Sequence, residues 1–228
     1  MLVRAGNAGR RMAQVALLAG VLAGCSEDTG ASGEKEDAKA SASVSASASE
    51  GAVRGGTVGA AGSACLLPVG FDTAAEWRAD ALDGSSADPE GDGDGSGSGE
   101  DLAALLRQGP VSLVCEIDAK PAGHIGFLRV YTAEPGEDDA EAVLKAFVAG
   151  QDGTDKARYS SFEADGLTGA EVSYLSTSEL LEETKPEAAF AVVTPDGPVV
   201  VHLGGMDEEE HKDMLPAFEL AKRTLHTV

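Results

Sequence analysis

Cys25 is the residue whose neighbours most clearly prescribe chemistry. It follows Leu22-Ala23-Gly24 at the end of an uncharged apolar run, Met12 to Ala23, and Arg4, Arg10 and Arg11 precede that run. A basic start, a short apolar stretch and small residues at a cleavage point describe a secretory signal. With cysteine first after the cut, its thiolate is the nucleophile that accepts lipid, as in a bacterial lipoprotein signal. The run is shorter than the roughly 20 apolar residues that a bilayer-spanning helix needs. The expected product loses residues 1–24 and is held to the lipid bilayer, on its extracytoplasmic face, by palmitate-type acylation of Cys25. Two acyl chains, each stabilised by about 0.8 kcal/mol per buried CH2, anchor a protein that has no membrane-embedding surface of its own.

Two cysteines remain, Cys65 and Cys115. Disulfides persist outside the cytoplasm, so a Cys65–Cys115 bridge is expected. No C-x-x-C spacing is present, which removes the usual basis for redox exchange.

Glu90, Asp92, Asp94 and Asp101, with Gly95, fall at positions 1, 3, 5, 12 and 6 of a calcium-loop pattern. Oxygen donors at those offsets can surround Ca2+, with glycine making the sharp turn. Position 1 is Glu, position 12 is Asp, and no helix pattern precedes the loop. These departures favour a solvated acidic loop and leave calcium as a weak candidate. His202, His211 and Glu210 could approach a metal if the fold brought them together. With no H-x-x-x-H and no Cys/His cluster, structural zinc is not expected. His124 and His226 complete the histidines. No G-x-S-x-G elbow and no Ser/His/Asp set with informative spacing occurs. The expectation is therefore no catalytic residue, no cofactor and no resident metal. The single tryptophan, Trp77, reads as a core or half-buried strand residue, and Glu208, Glu209 and Glu210 suit a helix N-terminus.

The chain carries 17 basic and 39 acidic residues, a net charge of −22. Loss of the three signal arginines leaves 14 basic against 39 acidic, a net −25. That balance argues against nucleic acid as a partner and against docking on anionic headgroups, because both need basic patches. The Ala- and Gly-rich composition suits a high-GC bacterial genome such as an actinomycete's.

The elements that must position these residues follow from pattern and punctuation. Residues 25–62 are rich in Ser, Ala and Gly and read as a disordered tether. At about 37 coil residues its reach is roughly 35 Å. Residues 63–228 suffice for one core, interrupted by an acidic, Gly- and Ser-rich insertion at 83–101 that is expected to be disordered. Cys65 to Val69 reads as a first strand with Pro68 marking an edge, and Leu102 to Gln108 as a short helix. Val111, Leu113, Cys115 and Ile117 alternate as one face of a strand. Ile125 to Thr132, apolar on both faces, reads as a central strand. A helix follows, capped at Asp138 or Asp139, with Val143, Leu144, Phe147 and Val148 as its stripe and Gly150 as its stop. Strands near 157–164 and 168–176 flank Asp165-Gly166, and Ser178 to Glu183 reads as one helical turn. Strands at 188–194 and 198–203 flank Asp196-Gly197. A final helix begins at Asp207, whose spacing to Glu210 fits a capping box. Met214, Phe218, Ala221 and Leu225 face inward, and Pro216 either kinks that helix or marks a second start. The whole is α+β: an antiparallel sheet with amphipathic helices packed on it.

Leu67-Pro68-Val69-Gly70-Phe71, the nearby Trp77, the Asp-Gly hairpin before a long C-terminal helix and the helix between strands resemble Mog1/PsbP-like domains of bacterial, including actinobacterial, lipoproteins. The resemblance spans about residues 63–228. It implies an α/β/α sandwich that acts as a binding or assembly module, and it transfers no active-site residue, because such domains share no catalytic set. The resulting expectation is a non-enzymatic, lipid-anchored module at the cell envelope that binds an envelope protein or a small ligand. An envelope hydrolase with an unrecognised site, or a structural spacer, are the alternatives.

Overall fold

The computed structural model describes residues 51–82 and 104–228. Cys25, the calcium candidate Glu90, Asp92, Asp94 and Asp101, and the 83–101 insertion lie outside those residues.

The strands in chain order are β1 (Arg54–Val58), β2 (Val69–Ala74), β3 (Arg78–Ala81), β4 (Arg107–Gln108), β5 (Val111–Asp118) and β6 (Gly126–Thr132), then helix α1 (Ala140–Ala149). After it come β7 (Thr154–Ala164), β8 (Leu167–Ser178), β9 (Glu183–Thr194), β10 (Gly197–Gly205), helix α2 (Glu208–Arg223) and β11 (His226–Thr227). The main sheet has the order β3-β5-β6-β10-β9-β8-β7, with β4 paired to β5, and all its pairings are antiparallel. A small sheet, β1-β2-β11, lies with α2 on one face of it, and α1 covers part of the other face. This is the antiparallel sheet with helices on both faces that the pattern implied.

Burial explains the order. β10 is buried along its whole length, and β9 from Glu187 to Val192. Both are apolar on both faces, as central strands must be. β7, at the edge, carries exposed Asp155, Lys156 and Arg158 and a bulge between Asp155 and Arg158. Charge and a bulge keep an edge from pairing with another chain. Asp165 and Gly166, with φ of 46° and 77°, close the β7–β8 hairpin. Positive φ at both central residues gives the turn whose twist matches the strands. Asp139 Oδ1 accepts the Ala142 amide at 2.8 Å, and Asp207 Oδ1 accepts the Glu210 amide at 2.9 Å, so both helix starts are capped as expected.

Several local expectations are corrected. The tether does not reach residue 62, because Arg54–Val58 forms β1 against β2. Its glycines hid it: Gly55 and Gly56 lack the side chains by which a strand is recognised. Cys65 to Pro68 is a connection, and the strand starts at Val69. Arg107 and Gln108 extend alongside β5 and are not helical. Ser178 to Glu183 is the end of the β8–β9 hairpin and not a helical turn. A register shift between Leu113 and Cys115 breaks the single face of β5. Val111 and Leu113 pack under α1, whereas Cys115 and Ile117 join the cluster under α2. A one-residue slip sends all following side chains to the other side of the sheet. Pro216 lies inside α2, which runs unbroken from Glu208 to Arg223.

Cys65 and Cys115 are bonded, with Cα atoms 6.0 Å apart, and both are fully buried. The bond ties the β1–β2 connection to β5, and so the small sheet to the large one.

Candidate functional site

Cross-strand pairing builds a polar cluster on the α1 face of the sheet. Tyr174 on β8 lies directly opposite Glu187 on β9, and His202 on β10 is diagonal to Glu187. The Tyr174 hydroxyl donates to Glu187 Oε2 at 3.0 Å. His202 Nε2 lies 3.1 Å from the same oxygen, and since an ionised carboxylate only accepts, Nε2 carries the proton. Lys185 Nζ is 3.3 Å from Glu187 Oε1 and donates to the Gly205 carbonyl at 2.6 Å. Gln151, just past α1, donates to the Tyr174 oxygen at 2.8 Å. The His202 ring packs 5.6 Å from Phe147 and stacks 6.4 Å from Tyr174.

Burial alone would raise the Glu187 pKa. The hydrogen bond and charge of His202, the charge of Lys185 and the Tyr174 hydroxyl outweigh it and hold the carboxyl down at about 2. Burial, and then the Glu187 charge, push the Tyr174 phenol far above its ordinary value, so it remains a donor. The cluster is thus a Tyr–Glu–His acid–base arrangement, but it is almost wholly buried. Tyr174, Glu187 and His202 are 3%, 6% and 7% exposed. In this conformation it pins three strands and the end of α1, and only Tyr174 and Glu187 of the three border an opening, the smaller hollow described next.

Of the concavities that open to solvent among the described residues, two bear on function. The larger, about 630 Å³, lies at the end of the sheet where β5 starts, β6 ends and the β9–β10 turn projects. Pro68, Pro110, Pro198 and Val193 give it stiff apolar patches, and Ser112, Thr132, Glu134, Asp138, Asp196 and Arg107 make about half of its lining polar, with acids in the majority of the charges. Proline fixes φ and carries no N–H, so Pro68 and Pro110 stiffen the connections that flank the cleft, while Pro198 stands at the start of β10 opposite Val193. The smaller hollow, about 210 Å³, is lined by Lys156 and Arg158 of β7, Ser173, Tyr174 and Leu175 of β8, Pro186 and Glu187 of β9 and His211 of α2.

The structure does not bring His202, His211 and Glu210 together as a metal set. His202 points to the α1 face, His211 belongs to α2 on the other, and Glu210 faces His124, with Nδ1 to Oε2 at 3.3 Å. No three Asp, Glu, His or Cys side chains converge on a metal position among the described residues. His226 Nδ1 donates to the Thr224 carbonyl at 2.9 Å, which fixes the chain after α2. Trp77 is half-buried against both core clusters beneath α2. Sequence reasoning missed Tyr174–Glu187–His202 because no linear spacing marks it. The available signal was a glutamate and a histidine on buried strands, each needing a partner.

A model of uncharacterised lipoproteins matches residues 34–225, most of the chain. The chain belongs to that uncharacterised lipoprotein family. Family membership carries no assigned activity to this lipoprotein. No curated protein is detectably similar to it. Among solved structures, cyanobacterial PsbP (CyanoP) from Synechocystis sp. PCC 6803 is similar, with 12% identity and a TM-score of 0.45. That similarity covers 71% of this chain and 87% of the cyanobacterial one.

Proposed function

We propose that this chain is a non-enzymatic binding or assembly module, held at the extracytoplasmic face of the cell membrane by acylated Cys25. The observation that carries the reading is the distance between its most perturbed groups and its largest described cleft: Tyr174, Glu187 and His202 do not line the concavity at the end of the sheet. Among the described residues, the cluster with strongly shifted carboxyl and phenol groups, Glu187 with Tyr174, is almost wholly buried and meets solvent only at the back of the smaller hollow. The cleft at the end of the sheet, about 630 Å³, combines proline and valine walls with a mainly acidic rim. Catalytic sites set perturbed groups where substrate reaches them, whereas a concavity with apolar walls and several polar groups placed around them suits recognition. Net charge of −22 favours a partner surface with basic or neutral character. A peptide segment of an envelope protein, seated between Pro68 and Pro198 with a basic side chain toward Asp138 or Asp196, fits that lining.

A photocrosslinking residue in place of Ser112 or Thr132, both in the cleft, tests this in intact membranes. One discrete adduct from the cleft positions, absent when the same residue replaces exposed Glu163, is the expected result. No adduct from the cleft, or the same adducts from all three positions, would exclude recognition there. Separately, Cys25→Ala is expected to abolish palmitate labelling and to move the protein from the membrane to the soluble fraction. Unchanged labelling would remove the anchor.

A further inference from the structure

The hollow between β7, β8 and the start of α2 has a character opposite to that of the chain as a whole. Acidic residues outnumber basic ones 39 to 17, yet the charged side chains on its outer wall are Lys156 and Arg158. Neither forms an ion pair with any described carboxylate, although Arg54, Arg78, Arg129, Lys145, Lys185 and Lys222 all do. The bulge in β7 sets the geometry. Arg158 pairs with Ser173 and Asp155 with Leu175, so one extra residue stands in β7, and Lys156 there has φ of 55°. A bulge of this kind re-aims side chains. The Asp155 carboxylate, the nearest acid in sequence, is occupied by the Lys156 amide at 2.7 Å.

A second observation comes from the opposite wall. His211, in the first turns of α2, is 7% exposed, borders the hollow, and its Nδ1 has no hydrogen-bond partner. A buried polar atom without a partner costs about 1–3 kcal/mol; Nδ1 is shielded as the ring stands, so a ligand in the hollow would relieve that cost through a turn of the imidazole. Burial lowers the His211 pKa, and His202 and Lys185 lower it further, against an upward pull from Glu187. The ring is thus neutral at neutral pH, with one N–H to donate. Glu187, the other acid bordering the hollow, already faces Lys185, His202 and Tyr174 on the far side of the sheet.

We propose that this hollow binds a single oxyanion group, phosphate or carboxylate, between Arg158, Lys156, the Ser173 hydroxyl and His211. A guanidinium holds two oxygens of such a group at once, while an ammonium contributes as a point charge. The hollow admits one such group on a larger molecule and not a nucleotide. Its existence does not depend on the cleft at the sheet end being a recognition site.

The test is an NMR titration of the chain with Cys25→Ser, following the His211 ring and the Arg158 side chain, with inorganic phosphate, acetate and chloride in separate arms at constant ionic strength. Saturable shifts of both residues with phosphate or acetate, but not chloride, are expected, and the tighter of the two names the group recognised. Arg158→Gln should weaken binding about tenfold, or about 1.4 kcal/mol. Lys120→Gln, a cation remote from the hollow, should leave it unchanged. No saturable shift at tens of millimolar of either oxyanion overturns the proposal. So do shifts that chloride reproduces, or binding indifferent to Arg158→Gln.

Discussion

Reduction of the Cys65–Cys115 bond is expected to lower the unfolding free energy by about 4 kcal/mol. The bonded residues are 50 apart in sequence. Closing a loop of that length removes about 14 cal/mol/K of chain entropy from the unfolded state, or about 4 kcal/mol at room temperature. The folded side should give little of this back. Both sulfurs lie in the main core, Cys65 at 1% and Cys115 at 0% exposure, so the free thiols remain packed as small apolar groups. For a domain of this size the loss corresponds to a fall in midpoint temperature of roughly 8–16 °C. Trp77, the single tryptophan, sits against both core clusters and reports unfolding by fluorescence. Denaturant titration of the chain with Cys25→Ser, with and without reductant, measures the difference. The double variant Cys65→Ala, Cys115→Ala supplies a background that reductant should not alter. A parent chain whose midpoint is unchanged after its two thiols are shown to be free would refute the loop-entropy reasoning. So would a double variant as stable as the oxidised parent.

Glu187 predicts an acid limb. Its carboxyl is held at about 2 against an ordinary 4.5, so its contribution is complete above about 4.5 and is lost as pH falls toward about 2. The integrated loss is about 3 kcal/mol. Glu187→Gln should therefore be less stable than the parent at neutral pH, and the two curves should converge on acidification. Parallel stability curves across that range would contradict the ionised pair. Gly126 at the start of β6 is a steric test: an added Cβ would stand 2.5 Å from the Gly204 carbonyl oxygen and 2.3 Å from Met214 Cε. The methionine can swing aside but the β10 backbone cannot. Gly126→Ala should cost about 1–3 kcal/mol in denaturant unfolding, while Gly136→Ala, with open space around it, should be close to neutral.

The sequence by itself determined whatever depends on neighbours along the chain. Caps at Asp207 and at Asp138 or Asp139 were legible because a side-chain oxygen must reach an amide three residues away, and the structure selects Asp139. So were the inward stripe Val143, Leu144, Phe147 and Val148, the Asp165-Gly166 turn, and the extended segments between them. With them came the fold class, since alternating strands and two amphipathic helices leave few ways to bury their apolar faces. Cys65 and Cys115 could be paired because only two cysteines remain once Cys25 is set aside.

Only the tertiary structure decided what depends on register between strands distant in sequence. The bulge at Val114 sends Val111 and Cys115 to opposite faces, and no local pattern encodes a bulge. β1 was invisible because its glycines gain order only by pairing with β2. Tyr174, Glu187 and His202 meet because β8, β9 and β10 are neighbours at one offset. A shift of one residue would bury each of them without a partner. The hollow bordered by Arg158 and His211 joins an edge strand to a helix over 50 residues away in sequence. Chain connectivity cannot specify that approach. The packing of α2 onto the sheet brings those two walls together.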